Sequence, residues 1–145
     1  MKPETSDAHI LMSMTYASRA NPNVSAKDFN EILKQAQVNN AANGITGMLT
    51  FNKDYFLQTI EGPRAQINRL LYSLIADERH YDLQVIETRE LTHRVWSEWS
   101  MNYATPTEKN AAIYLKYSTT IDFNPYLLSA QSANDLMDEL SSKHN

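Results

Sequence analysis

YFLQTIEGPRAQINRLLYSLI, residues 55–75, decides how this chain folds, because its hydrophobic repeat changes partway along. Tyr55 to Glu61 reads as a strand, with Phe56, Gln58 and Ile60 sharing one side. Gly62-Pro63 then opens a helix, proline being well placed in a first turn. Ile67, Leu70, Leu71, Leu74 and Ile75 follow at i, i+3, i+4, i+7 and i+8, the spacing of one buried helical face.

Upstream, Ile45 to Phe51 is a second strand, joined to the first by the short polar loop Asn52-Lys53-Asp54 suited to a hairpin. Before it, Ser25 and Asp28 have the spacing of a capping box, and Phe29, Ile32, Leu33 and Ala36 form a helical stripe that should stop near Gly44, a left-handed C-terminal residue. Glycines at 44 and 47 suggest close backbone approach. The alternation of Ile10, Met12, Met14 and Tyr16 predicts a strand over residues 9–17, and Leu83 to Thr88 and Val95 to Tyr103 are two more. The order βαββαββ is that of a ferredoxin-like α+β sandwich with two helices on one sheet face. Beyond Pro106, helices are expected over 108–117 and near 133–140. Leu136, Met137 and Leu140 would pack as a short helical cap on the other face, keeping residues such as Leu57 dry. Residues 9–103 form one expected unit and 104–145 the C-terminal helical segment.

With 145 residues, 42% hydrophobic content, 21% charge and three glycines, one fully folded domain is expected. A net charge of −4 without a Lys/Arg run gives no electrostatic footprint for nucleic acid or an anionic membrane, so neither is an expected partner. No cysteine is present, which excludes disulfides, thiolate metal sites and thiol nucleophiles. No window approaches the ~20 apolar residues of a membrane span, and no basic-then-apolar leader is visible; a cytoplasmic location is expected. No histidine pair has metal-ligand spacing, no nucleophile elbow occurs, and Gly44-Ile45-Thr46-Gly47 matches the GxxG of an RNA-binding loop without a basic context.

Several polar side chains fall where a core would not place them. Asn40 continues the stripe of Phe29, Leu33 and Ala36, and Asn39 that of Ile32 and Ala36, so both amides should look inward. An inward amide without partners costs roughly 1–3 kcal/mol. A ligand with donors and acceptors would meet that demand; so would capping of the helix end. Gln58 lies on the core face of its strand, and Tyr16 ends the first strand with its phenol at the sheet edge, where pairing could bring it beside Gln58. Such a buried pair is more often simply a satisfied core hydrogen bond. Trp99 and Met101 share a face of the last strand and read as core. Arg79 and His80, after the second helix, suit either its negative end or a phosphate.

These residues coincide with motifs that resemble the BLUF family, sensors of blue light using FAD. Tyr16-Ala17-Ser18-Arg19 is similar to the family's first-strand motif, and Asn39-Asn40-Ala41-Ala42-Asn43-Gly44-Ile45-Thr46-Gly47 to its NN…GITG segment. Phe56 to Gly62 resembles its FLQ-x-[LI]-EG strand, Asp77-Glu78-Arg79-His80 its helix-end motif and Trp99-Ser100-Met101 its WSM, all in family order.

The resemblance implies FAD held noncovalently between the two helices. Asn40, with Asn39 nearby, would meet the flavin's imide edge. Ile32, Ile45, Phe56 and Leu74 would line the ring, and Asp77, Arg79 and His80 would lie toward the ribityl and diphosphate side. Blue light would drive electron and proton transfer from Tyr16 through Gln58, leaving Gln58 with a changed hydrogen bond, and Trp99 and Met101 would couple that change to output. The absence of cysteine agrees with photochemistry that forms no adduct. Leu115-Lys116-Tyr117-Ser118 resembles the cap of small single-domain members, which implies self-association into a homo-oligomer, an unidentified downstream signalling protein in trans, and no enzymatic activity. Two rivals are a BLUF-like interaction module that has lost its light function and a small acylphosphatase-like enzyme, for which the GITG segment lacks a phosphate-cradling arrangement.

Overall fold

The computed structural model describes residues 10–96, 102–118 and 122–143. Its strands are β1 (Leu11–Ala20), β2 (Thr46–Phe51), β3 (Tyr55–Pro63), β4 (His80–Leu91) and β5 (Asn102–Ala104); its helices are α1 (Ala26–Ala42), α2 (Arg64–Ala76), α3 (Ala111–Lys116) and α4 (Ala130–Lys143). The sheet order is β4-β1-β3-β2-β5. The pairs β1·β3, β1·β4 and β2·β3 are antiparallel, and β5 joins β2 in parallel. This is the ferredoxin-like α+β sandwich with an added edge strand.

Each face carries its own core. Ile67, Leu70, Leu71 and Leu74 of α2 and Phe29, Ile32, Leu33 and Ala36 of α1 pack on Met14, Tyr16, Phe56 and Ile60. On the opposite face, Leu136, Met137 and Leu140 of α4 close over Met48 and Leu57, all essentially without exposure, as the cap reading required. α1 starts at the capping box expected of Ser25 and Asp28, and Gly44 takes φ +70 just past the helix.

The structure departs from the sequence-derived boundaries where polar residues continue an element. β1 runs to Ala20 because Ser18 and Arg19 keep pairing with Phe56 and Tyr55, and β4 flanks it on the other side. Tyr16 is therefore interior, 4% exposed, and not at a sheet edge. β4 extends well beyond Leu83–Thr88; as an edge strand it needs no continuous apolar pattern. α3 begins only at Ala111, because the Asn110 side chain accepts from the Thr107 N–H (2.7 Å) and donates to the Thr105 carbonyl (2.9 Å), holding a turn there. α4 is longer than 133–140 at both ends. Ile75 is 60% exposed, since eight residues at 3.6 per turn rotate it about 80° from Ile67. The last strand expected over Val95 to Tyr103 does not begin at Val95: Val95 and Trp96 are outside any strand, residues 97–101 lie outside the described ones, and the described strand is Asn102–Ala104.

Candidate functional site

Between α1, α2 and the sheet lies a cavity of about 210 Å³. Its walls are largely apolar: Ile32 and Ala36 from α1, Leu49 from β2, Phe56 from β3, and Leu70 and Leu74 from α2. Into this apolar space the fold brings Tyr16, Gln58 and Asn40, with Asn39, Asp77, Arg79 and His80 also on the lining.

Strand register explains the centre. Tyr16 stands opposite Gln58 on β1 and β3, and Leu49 of β2 stands opposite Gln58 on its other side, so three neighbouring strands contribute one row. Beside Tyr16, the β1·β4 register slips between Thr15 and Tyr16, a bulge of the kind that re-aims a side chain next to a site. The Tyr16 hydroxyl donates a hydrogen bond to Oε1 of Gln58. Both residues are buried, at 4% and 5% exposure. Burial, with a smaller push from the Asp77 carboxylate, holds the phenol well above its ordinary range, so Tyr16 is a protonated donor at neutral pH.

Asn40 is 2% exposed, and its backbone carbonyl accepts the N–H groups of Asn43 and Ile45 (3.1 and 2.8 Å). The helix end is thus closed by the Asn40 main chain. Asn39 is a correction to the picture of two inward amides: it is exposed and reaches the cavity only at its margin.

At the C-terminal end of α2, Arg79 grips Asp77 (Nη2 to Oδ2, 2.6 Å), which holds the Asp77 carboxyl below the usual carboxylate range. His80 is oriented from two sides. Its Nε2 faces the Leu74 carbonyl, which can only accept, so that nitrogen carries the proton; Nδ1 lies 2.8 Å from the Ser18 hydroxyl. The imidazole also stands edge-on to Phe56 and Tyr16, at 6.1 and 6.4 Å between ring centres.

Of the residues singled out from the sequence, Tyr16, Ile32, Asn39, Asn40, Phe56, Gln58, Leu74, Asp77, Arg79 and His80 gather on this one cavity. Ile45 is not on its lining; it is buried in the core beside Gly62, where an added Cβ would lie only 3.0 Å from Ile45 Cγ1. Trp99, Ser100 and Met101 lie outside the described residues. The sequence reading passed over Gln35 and Ser73, although Gln35 sits three residues from Ile32 and Ser73 three from Leu70. It also missed Ser18, whose role needs the β1·β4 pairing.

Apolar walls, two buried carboxamides and a phenol make a donor set suited to a flat ring with an amide-like polar edge, and the acidic, basic and imidazole groups suit a charged tail. Among the described residues no cluster of metal-ligating side chains occurs, and no helix is long and apolar enough to cross a membrane.

Residues 11–102 match the family model described as BLUF, sensors of blue-light using FAD. The photoactivated adenylate cyclase subunit beta of Euglena gracilis is 35% identical over 96 residues, 66% of this chain but only 11% of that protein, so the chain corresponds to about a tenth of that relative's length. Among solved structures, the photo-activated state of BlsA superimposes with a TM-score of 0.81 at 29% identity, covering 90% of this chain and 94% of that one. The dark state of BlrB, a BLUF protein, gives 0.79 at 27% identity, covering 94% and 98%.

Proposed function

The chain belongs to the BLUF family of blue-light sensors that use FAD, and on that premise we propose that light-driven, proton-coupled electron transfer from Tyr16 through Gln58 rearranges the hydrogen bonds around the cofactor. The observation that carries this reading is the buried hydrogen bond from the Tyr16 phenol to Gln58 Oε1, facing a cavity whose walls are largely apolar.

At about 210 Å³ the cavity is smaller than the roughly 300–1,000 Å³ that engulfs a drug-sized ligand, so it takes a ring and leaves a tail along the rim. Ile32, Phe56 and Leu74 flank the ring, with Ile45 supporting them from the core. Asn40 meets the polar edge and Asn39 its margin, while Asp77, Arg79 and His80 face the tail. When bound, FAD supplies blue-light absorption and an electron acceptor. The protein's own part is to move a proton along Tyr16 and Gln58. The Tyr16 hydroxyl gives one to Gln58 Oε1, and a carboxamide protonated on oxygen can release one from Nε2. When the electron and a proton have both returned to Tyr16, Gln58 is left in a changed tautomer or orientation.

In the same reading, residues 9–103 sense light and 104–145 carry output. Trp99 and Met101 couple the two, and the signal passes through the last strand and C-terminal helices to a separate partner protein. The chain acts without enzymatic activity of its own, as a homo-oligomer in the cytoplasm. The test is the absorption spectrum of the purified protein with FAD, before and after blue light and through dark recovery. A reversible red shift without bleaching is expected. A yellow protein with no shift would indicate a flavin binder with a disabled switch, and failure to bind FAD after reconstitution would sink the reading.

A further inference from the structure

Glu61 is an acidic side chain on the middle strand of the sheet, only 2% exposed, and the site described above does not use it. It lies on β3 three residues beyond Gln58, on the opposite face of the sheet. Its two carboxylate oxygens accept the Val95 N–H at 2.9 and 3.2 Å, and one of them also accepts the Trp96 N–H at 3.0 Å. Hydrogen bonds to an ionised carboxylate are among the stronger ones, and this carboxylate spends its acceptors on two consecutive main-chain donors. The chain is thereby turned so that Val95 is 51% exposed while the Trp96 indole, 8% exposed, enters the apolar cluster beneath α4.

The preceding residue completes the attachment. The Arg94 guanidinium bonds the Gly44 carbonyl, the Thr46 hydroxyl (3.3 Å) and the Glu61 carbonyl (3.5 Å). Gly44 and Thr46 follow directly on the α1 end whose main chain is closed at Asn40. They are also pressed against β3: a Cβ on Gly62 would stand 3.1 Å from the Gly44 carbonyl oxygen. Residues 94–96 are thus tied to β3, which carries Gln58, and to the segment that follows the Asn40 end of α1, and they insert a tryptophan into the cap core.

We propose that Glu61 is a positioning residue, assisted by Arg94, that carries a change at Gln58 and Asn40 through Trp96 to α4. The inference rests on the photoreceptor reading. Coupling of this kind needs contiguous, stiff contacts with discrete arrangements. A carboxylate fixed on two successive N–H groups transmits a shift of β3 to Trp96 without slack, whereas a carboxamide keeps one acceptor oxygen and adds an N–H where an acceptor is needed.

The experiment is hydrogen–deuterium exchange of the full FAD-loaded chain, in darkness and under continuous blue light, with absorption spectra in parallel, for the wild type, Glu61→Gln and Arg94→Ala. The wild type should show a light-minus-dark difference in peptides covering Trp96 and α4. Glu61→Gln should keep its flavin and its red shift while that difference falls by about threefold or more, and Arg94→Ala should show a smaller drop. A merely structural role would raise exchange equally in dark and light and leave the difference intact, and that result overturns the proposal. Absence of an α4 difference in a wild type that does shift red also overturns it. If Glu61→Gln does not fold, an undiminished difference in Arg94→Ala is decisive against it. A wild type that shows no red shift sinks the photoreceptor reading itself, a separate outcome from a normal shift with undiminished coupling in both variants.

Discussion

On β3, Gln58 lines the cavity beneath α1 and α2, while its neighbour Leu57 is wholly buried beneath α4. The two faces of the sheet are made from alternate residues of the same strands, yet they solve different problems. The α4 face is dry and closed: Leu57 and Met48 meet Leu136, Met137 and Leu140, and its buried hydroxyls pair directly, Thr15 with Thr59 at 2.8 Å and Thr50 with Tyr114 at 2.7 Å. The α1/α2 face leaves a cavity and aims a phenol and two amides at it. One face stores stability, and the other keeps hydrogen-bonding capacity in an apolar setting, where it responds strongly to a local change.

The most severe way to test this division is to remove one atom from the cavity face. Tyr16→Phe deletes the only proton that Gln58 Oε1 receives from the phenol and should reduce the light-induced red shift by at least about tenfold while FAD stays bound, as difference spectra would show. The complementary change is Leu136→Ala, which should cost about 2–5 kcal/mol in denaturant unfolding of the FAD-loaded protein while the red shift keeps its size. A Leu136→Ala protein that is fully folded but has lost its red shift would show that the faces are not separable.

The sequence conveyed this division unevenly. Hydrophobic period sets element type, so α1, α2, the hairpin and the need for a cap over Leu57 were all readable. Inward Asn40 and Gln58 were readable too, because helical and strand periods place them on core faces. Partnerships were harder, since they depend on register: period alone could not show that Tyr16 is opposite Gln58, that Ser18 reaches His80, or that β1 continues past Ala17 with a partner on each side. The Glu61 clamp was invisible for a related reason. A carboxylate in an alternating strand reads as solvent-facing, and its main-chain partners Val95 and Trp96 are 34 and 35 residues away. Trp96 itself was passed over because nothing periodic surrounds it.

An alkaline ramp sharpens the comparison, because each face holds one buried tyrosine. Burial pushes the Tyr114 phenol up to about 12 from an ordinary 10, and Tyr16 is raised as well. Above pH 10 the unfolded chain ionises both phenols while the folded protein resists doing so. The stability associated with them is therefore complete below about 10 and falls as pH rises toward 12. Tyr114→Phe should make that loss shallower without abolishing it, because Tyr16, Tyr117 and Tyr126 are raised as well, and should cost about 1–3 kcal/mol at neutral pH by leaving the Thr50 hydroxyl without its Tyr114 partner. Chemical denaturation across the range, with and without the substitution, isolates the contribution of Tyr114 on the α4 face.

The smallest expected effect lies on the outside of the cap. Glu139 on α4 receives hydrogen bonds from Lys116 Nζ at 2.7 Å and from the Tyr117 hydroxyl, and Lys116 is the larger of the two influences holding its carboxyl below the usual range. The Lys116 side chain is 58% exposed, so water and salt screen the pair, and Tyr117 continues to occupy Glu139 when the lysine is gone. Lys116→Ala should thus lower stability by no more than about 1 kcal/mol, less at high ionic strength, and leave both the red shift and its recovery unchanged. The value of the measurement lies in that second part. A surface ion pair on α4 is separated from Gln58 by the packed cluster beneath α4, Trp96 included, so an altered recovery rate would mean that this face is soft enough to conduct. The closed packing of that face predicts the opposite: small losses at its outer surface stay there, whereas loss of the Glu61 contacts, made from the strand itself, is expected to weaken the coupling.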